Sequence, residues 1–153
     1  MADTSLAERK IGLLVWQLSN HWQSKLRKIL KNHKLTLNEY LILESISDLS
    51  ENQKELSQNE ISIFAGIDIS VASVTFKLLE NKKLIARRIK KDNRKKIVEM
   101  LASGINLYDK VQPLILREES SIFYKLHNEI YNFKNLIKLL LGKRVRVKAK
   151  KML

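Results

Sequence analysis

The sequence predicts a mainly α-helical (α+β) protein in which several helices surround one short β-ribbon. The chain has 153 residues, of which 44% are hydrophobic and 29% are charged, and this composition is typical of a globular domain. It contains 4 glycines and 1 proline, so turn signals are sparse and long helices are favoured over a many-stranded sheet. Cysteine is absent, which excludes disulfides and cysteine-ligated zinc.

The helical pattern is clearest towards the two ends of the sequence. Apolar residues at three- and four-residue steps predict a long amphipathic helix over residues 5–31. A capping box, Thr36-Leu37-Asn38-Glu39, predicts the start of the next helix. The helical period returns near Ser103 and predicts a second long helix, in which Pro113 is expected to cause a kink or a late start. A last helix is predicted over residues 129–141.

The middle of the sequence predicts a helix-turn-helix. A second capping box, from Ser57 to Glu60, precedes a short apolar helix that we expect to end at Gly66. Asp68 or Ser70 can then cap a further helix. Two capped helices joined by a glycine-containing turn are typical of a helix-turn-helix. The inward face of the second helix is predicted to consist of Ala72, Phe76 and Leu79.

Residues 84–100 change to a two-residue period. β-branched residues alternate with charged ones in LIARRIKK and KKIVEM, which predicts two strands. The segment KDNR lies between them as the turn, because aspartate and asparagine tolerate unusual backbone angles. A ribbon directly after a helix-turn-helix forms a wing. The predicted fold class is therefore a winged helix-turn-helix with long N- and C-terminal helices.

The positive charge is concentrated in two segments. The formal net charge is +13. Residues 82–96 contain nine Lys/Arg against one acid, Asp92, and residues 143–151 contain six Lys/Arg and no acid, whereas the rest of the chain is close to neutral. This distribution indicates a local polyanion-binding surface more strongly than a uniformly basic protein would.

The order of elements and a set of short motifs resemble the MarR family of bacterial transcriptional regulators over about residues 8–142. The motifs are Leu79-Glu80 at the helix end, Leu84-Ile85 at the strand start, Asp92-Asn93-Arg94 in the wing and Gly104 at the start of the long helix. The sequence departs from the family pattern at Lys83, where glycine is usual, and at Leu101, where threonine is usual. Lys83 must therefore adopt a left-handed conformation or the helix must end differently. The cap of the long helix is missing unless Ser103 supplies it.

The resemblance implies a homodimer with two winged-helix lobes facing DNA. Residues 5–33 and 103–142 would form the helical dimerisation region, residues 34–100 the DNA-binding lobe, and residues 143–153 a basic, mobile tail. Long amphipathic terminal helices agree with this assembly, because one chain of 153 residues offers them too little partner surface. A two-fold dimer would present its recognition helices roughly one DNA turn apart, on a pseudo-palindrome.

The wing is predicted to bind DNA through its tip. Arg94 is expected to enter a narrow, A/T-rich minor groove, where the negative potential attracts a guanidinium. Asp92 would orient a neighbouring arginine or lysine, or hydrogen-bond the backbone of the turn that also contains Asn93. A solvated run of charges is the alternative. The predicted phosphate contacts are Arg87, Arg88, Lys90, Lys91, Lys95 and Lys96.

The outward face of the second helix of the helix-turn-helix is short of hydrogen-bond donors. It is predicted to present Ser70, Val71, Ser73, Val74 and Lys77 to DNA. The serines can bond phosphates or base edges, and the valines can contact thymine methyl groups. We therefore expect an A/T-rich site that is read largely by shape. The alternative is that the valines are partly buried.

A small-molecule site is predicted less directly. Trp16, Trp22 and Tyr40 are candidates for a pocket that binds a small aromatic effector, as the resemblance implies, although core packing is the simpler explanation for each.

The three histidines are too scattered along the sequence to predict a zinc site. We expect no metal and no cofactor. The histidines are His21, His33 and His127.

These predictions indicate a dimeric transcriptional regulator, most simply a repressor that binds an operator. The alternatives are an architectural DNA-binding protein with low sequence specificity, which the donor-poor helix favours, and a protein–protein scaffold. An enzyme is disfavoured because no paired carboxylates, histidine-metal cluster or Ser/His/Asp order stands out. The apolar run IGLLVW is too short for a signal peptide or a membrane span. We therefore expect no membrane association and a cytoplasmic, nucleoid-associated location.

Overall fold

The structure, a computed structural model, describes residues 8–92 and 94–142, which form six α-helices, three β-strands and one 3₁₀ segment. The helices are α1 (Ile11–Lys31), α2 (Leu37–Ser50), α3 (Gln58–Ala65), α4 (Ile69–Asn81), α5 (Ala102–Phe123) and α6 (Ile130–Leu141). The strands are β1 (Leu56–Ser57), β2 (Ile85–Ile89) and β3 (Lys96–Met100), and the 3₁₀ segment is Tyr124–Glu129. The predicted mainly helical winged helix-turn-helix is confirmed. The predictions for residues 5–7, Asn93 and residues 143–153 lie outside the described residues.

Contacts within the chain divide it into two units. The first unit ends at Leu116 and contains α1 to α4, the three strands and most of α5. The second unit begins at Arg117 and contains the end of α5, the 3₁₀ segment and α6. The predicted division into a dimerisation region and a DNA-binding lobe concerns two assembled chains and stays a prediction.

The starts of α1 and α2 differ in how they are capped. Helix α1 begins at Ile11, and the preceding described residues 8–10, which were predicted to be helical, are not; Lys10 is extended and caps no backbone amide with its side chain. Helix α2 begins with the predicted capping box: the Thr36 hydroxyl accepts from the Glu39 amide at 3.1 Å, and the Glu39 carboxylate accepts from the Thr36 amide at 2.8 Å.

Helices α3 and α4 form the predicted helix-turn-helix. Ser57 caps α3 by accepting from the Glu60 amide at 3.1 Å, but in the described chain Glu60 does not return the bond, so the second capping box is only half formed. Gly66 ends α3 with φ +71°, and Asp68 caps α4 by accepting from the Ser70 amide. The chain bends by 114° between the two helices, within the range usual for this motif.

The predicted ribbon is part of a three-stranded antiparallel sheet of order β1-β3-β2. Strands β2 and β3 pair in a register that matches Ile85 with Met100 and Ile89 with Lys96. The sequence did not predict β1, whose two residues pair with β3 through Leu56 and Val98. A strand of two residues has no detectable period and exists only because β3 lies beside it.

The end of α4 adopts the left-handed conformation considered for Lys83, whose φ is +61°. The Lys83 amide donates to the Glu80 carbonyl at 2.9 Å, and the Leu84 amide donates to the Leu79 carbonyl at 3.0 Å. This pair of bonds is the Schellman arrangement that usually carries glycine at the Lys83 position. The Ser103 hydroxyl donates to the Lys83 carbonyl at 2.5 Å, so it supports the end of α4.

Helix α5 packs closely against the start of β2. The Leu101 amide donates to the Leu84 carbonyl at 3.0 Å. A Cβ added to Gly104 would lie 2.2 Å from the same carbonyl oxygen, so only glycine permits this approach. The helix begins at Ala102 and continues through Pro113, so the predicted late start is wrong.

The core of the first unit joins the helix-turn-helix to α1, α2, the sheet and α5. Tyr40 of α2 stacks on Tyr108 of α5 with ring centroids 5.8 Å apart. Apolar side chains of every helix of this unit are buried in the same cluster. They include Leu26, Leu30, Leu43, Ile61, Phe76, Leu79, Ile85, Val98, Val111 and Ile115.

The second unit has no buried residue between 117 and 142. Phe123 and Phe133 approach each other with ring centroids 6.2 Å apart, and His127 interrupts the helical backbone with φ +49°. Helix α6 follows at Ile130, close to the predicted start at residue 129. In the described part of the chain, no single helix is both long and apolar enough to cross a membrane.

Candidate nucleic-acid interface

Helix α4 exposes the side that the sequence assigned to DNA. Burial of Ala72, Thr75, Phe76 and Leu79 fixes which side of the helix faces the core. The opposite side carries Ser70, Val71, Val74 and Lys77, which are exposed, and Ser73, which is half-buried. Val71 is 44% exposed and Val74 is 62% exposed, so methyl groups of both valines are accessible to a partner.

The wing turns tightly between Lys90 and Lys95. The Lys90 amide donates to the Lys95 carbonyl at 2.8 Å, and the Arg94 amide donates to the Lys90 carbonyl at 2.9 Å. Arg94 has φ +54°, a left-handed conformation that the turn requires. Within the described residues, the Asp92 carboxylate and the Arg94 guanidinium form no hydrogen bond or ion pair. The roles predicted for them stay predictions.

The cations at the base of the wing are paired with two glutamates. Arg87 Nη2 lies 2.9 Å from Glu80, while Arg88 Nη2 and Lys90 Nζ lie 3.2 Å and 3.1 Å from the two carboxylate oxygens of Glu55. Lys91 and Arg94 form no ion pair with an acidic side chain among the described residues, whereas Lys96 interacts electrostatically with Glu80. The cations of the wing therefore divide into a partly neutralised base and a more open tip.

The ion pairs shift the pKa of both glutamates. Hydrogen bonds from Lys90 and Arg88 hold the pKa of Glu55 below its ordinary value of 4.5, and a hydrogen bond from Arg87 does the same for Glu80. Both carboxylates are therefore ionised at neutral pH. The two carboxylates then offset two of the three positive charges of Arg87, Arg88 and Lys90.

A groove of about 640 Å³ separates the helix-turn-helix from the wing. It brings the half-buried Ser73 of the recognition helix and the wing-tip Arg94 onto one concave surface. Helix α3 contributes Gln58, Asn59, Glu60 and Ile63, and α4 contributes Ile69 and Ser73. The wing contributes Arg94, Lys95 and Lys96, and Ser57 of β1 completes the lining. A concave surface with cations on one side suits a phosphodiester backbone.

The residues of the predicted effector pocket lie in different environments. Tyr40 is 1% exposed and stacks on Tyr108, so its ring belongs to the core. Trp22 is half-buried against the same core, and Trp16 is 62% exposed on α1. Their effector role stays a prediction.

Among the described residues, no three His, Asp or Glu side chains lie together so that they could hold a metal ion. Sequence reasoning missed Glu55 and Gln58, and it assigned Glu80 only to a family motif. Glu55 and Gln58 contact wing cations about 30 residues away in the sequence, and Glu80 contacts Arg87 across the turn between α4 and β2. No local pattern signals such pairs, because each depends on how β2 lies beside the helix-turn-helix.

The helix-turn-helix, the wing and the groove between them define the class of protein: a winged-helix DNA-binding protein. Residues 24–111, more than half of the sequence, match the family described as transcriptional regulator SarA/Rot, and the chain belongs to that family. The description of the family is that of transcriptional regulators. The chain is also 24% identical over 131 residues to YdcH, an uncharacterised HTH-type transcriptional regulator of Bacillus subtilis (strain 168). This match covers 83% of this chain and 89% of YdcH.

Solved structures of MarR-family regulators share the fold, which confirms the predicted resemblance. The S. aureus MepR–DNA complex matches with a TM-score of 0.78 and 25% identity over 88% of this chain and 99% of MepR. BpsR of Bordetella bronchiseptica, whose DNA binding is regulated by 6-hydroxynicotinic acid, matches with a TM-score of 0.78 and 20% identity. That match covers 88% of this chain and 100% of BpsR.

Proposed function

We propose that the protein is a homodimeric repressor that binds a pseudo-palindromic, A/T-rich operator. The observation that carries this proposal is the common surface formed by the exposed face of α4, the groove and the cationic wing tip. The recognition helix would enter the major groove while the wing reaches the adjacent minor groove. A regulator of this kind acts on the chromosome, so we place it in the cytoplasm at the nucleoid.

The side chains of α4 support an A/T-rich site. Between Ser70 and Lys77 the outward face offers two serines and one lysine as donors, but no arginine, asparagine or glutamine for a bidentate contact with a base. Val71 and Val74 instead offer methyl groups, which suit the C5-methyl group of thymine. Arg94 at the wing tip adds a preference for narrow minor grooves, and these occur in A-tracts.

The exposed apolar surface of the terminal helices supports a homodimer. The second unit has no buried residue among 117–142, although α6 is rich in leucine and isoleucine. Leu139 and Leu140 are 75% and 85% exposed in the single chain. On α1, Ile11 and Val15 are likewise exposed. A second copy of the chain would bury these surfaces by two-fold symmetry and would provide a second recognition helix.

A small aromatic effector would release the operator by favouring a spacing of the two lobes that does not fit DNA. The regulation of BpsR by 6-hydroxynicotinic acid supports looking for such a ligand here. Trp16, Trp22 and Tyr40 are the residues that we propose to line its site.

The direct test is to select bound sequences from random duplexes and to compare wild type with Arg94→Ala on the selected duplex. We expect an A/T-rich pseudo-palindrome. The substitution should weaken binding by about five- to a hundredfold, because a specific base-edge or minor-groove arginine contributes about 1–3 kcal/mol.

The matched control is Arg27→Ala, which removes an exposed arginine of α1 and should leave affinity nearly unchanged. Selection of G/C-rich major-groove positions would contradict the A/T proposal. Recovery of no shared sequence would indicate an architectural DNA-binding protein instead.

A further inference from the structure

Arg87 joins three elements of the winged helix. Its Nε donates to Glu80 Oε2 at 3.2 Å and its Nη2 donates to Glu80 Oε1 at 2.9 Å, so the guanidinium holds the carboxylate with two parallel bonds. Its Nη1 donates to the Gln58 side-chain oxygen at 3.2 Å. Gln58 begins α3, Glu80 lies in the last turn of α4, and Arg87 lies in the middle of β2.

This geometry leaves Arg87 poorly placed to contact a phosphate. Its side chain is only 17% exposed, and all three nitrogens of its guanidinium already donate to protein oxygens. The planar guanidinium fixes direction as well as distance, which a lysine could not do. Arg88 and Lys90 differ from Arg87, because their pairs with Glu55 are more exposed.

We propose that Arg87 is a positioning residue, which with Glu80 and Gln58 fixes the wing relative to the recognition helix so that both engage the same DNA. This role differs from the phosphate contact expected from the sequence. It rests on the proposed DNA-binding function, since positioning matters only if the helix and the wing act on one duplex. We call Arg87, Glu80 and Gln58 the wing clamp.

The substitution Glu80→Gln distinguishes a positioning role from a purely electrostatic one, because the two predict opposite changes in DNA affinity. Removing this carboxylate makes the protein one charge more positive. If electrostatic attraction to the phosphates were the only effect, DNA binding would then become tighter. Loss of the wing clamp should instead weaken binding to the selected operator. We expect a loss of about tenfold, the size that one charge-assisted hydrogen bond implies.

The matched control is Glu55→Gln, which makes the same charge change beside the same wing. Glu55 pairs with the exposed Arg88 and Lys90, and exposed pairs hold structure weakly. This variant should bind the operator as tightly as wild type or more tightly, because it frees two cations.

Salt dependence tests Arg87 itself. Log affinity for DNA falls linearly with log salt concentration. If Arg87 contacted a phosphate, Arg87→Gln would make this slope less steep by about 0.9. A positioning residue should leave the slope unchanged while affinity falls at every salt concentration. Lys91→Gln, at the open tip, provides the comparison and should reduce the slope.

Amide hydrogen exchange tests the wing clamp without DNA. In Glu80→Gln, the amides of β2 and β3 should exchange faster than in wild type, whereas Glu55→Gln should leave them unchanged. The double variant Glu80→Gln/Arg87→Gln should bind DNA no more weakly than either single variant, because the two residues act as one unit.

Two results would overturn the inference: unchanged exchange in Glu80→Gln, or operator binding by Glu80→Gln that is as tight as in wild type. Failure of the proposed function looks different. In that case wild type itself would show no preference for any duplex, while the exchange measurement would still decide whether the wing clamp fixes the wing.

Discussion

Lys83 ends the recognition helix in a conformation that glycine adopts without strain. Its φ of +61° is in the left-handed region, where the Cβ atom lies unfavourably close to the following carbonyl oxygen. The surrounding hydrogen bonds, from the Lys83 and Leu84 amides to carbonyls in the last turn of α4, hold it there. A substitution at this one position can therefore measure how much the conformation lowers the free energy of unfolding.

We expect Lys83→Gly to raise the free energy of unfolding by up to about 1 kcal/mol, the strain relieved less the extra freedom of glycine in the unfolded chain. Asn81→Gly is the matched control, since Asn81 is the last helical residue of α4. It should lower the free energy of unfolding by roughly 0.5–1 kcal/mol. Urea denaturation measures both. Equal destabilisation by the two variants would show that Lys83 carries no strain.

At the scale of elements, Lys82 links the end of the recognition helix to the turn between α1 and α2. Its Nζ donates to the Lys34 carbonyl at 2.6 Å and to Glu39 Oε1 at 2.8 Å. Glu39 is fully buried, and its Oε2 has no hydrogen-bond partner among the described residues. Lys82 therefore supplies the one cation paired with a buried carboxylate in this part of the fold.

Lys82→Met should lower the free energy of unfolding by about 1–3 kcal/mol, because it leaves the Glu39 carboxylate buried without its charged partner. The control is Lys77→Met, an exposed lysine of the same helix, which should change the free energy of unfolding by less than about 0.5 kcal/mol. Urea denaturation at neutral pH compares the two. If they behaved alike, the link would not contribute to stability.

The elements that the sequence predicted are those with local signals. Thr36 and Glu39 form their capping box from residues three apart, and Gly66 ends α3 through its own backbone freedom. The elements that it missed depend on distant partners. Strand β1 exists only beside β3, and Arg87 finds Glu80 only because β2 returns alongside α4. The start of α1 was predicted too early because the spacing of apolar residues does not mark the first helical residue, and no capping side chain precedes Ile11 to mark it.

At the scale of the whole molecule, the second unit lacks a core of its own. None of the residues 117–142 is buried, so its apolar side chains contribute little to the stability of one chain. The same side chains would contribute to the stability of a dimer, because a two-fold interface buries each of them in both copies of the chain. The proposed homodimer is therefore what gives α6 a structural role.

Leu140→Glu should dissociate the dimer. Burial of one leucine contributes at least about 1.5 kcal/mol, and a two-fold interface contains two copies, so we expect the dissociation constant to rise by at least about a hundredfold. Analytical ultracentrifugation across a concentration series measures this shift. Lys134→Glu is the control, because it places a carboxylate at an exposed polar position of the same helix. Sedimentation of wild type as a monomer at all concentrations would contradict the homodimer.

The most direct test of the central claim is an anisotropy titration of wild type against the selected operator and a shuffled duplex of equal composition, at one fixed salt concentration. A dimeric winged-helix regulator should bind the operator about 10³-fold or more tightly than the shuffled duplex. Replacing one half-site should remove most of that preference, because only one recognition helix would then find its target. Equal affinity for the operator and the shuffled duplex would contradict the claim that this protein reads a specific DNA site.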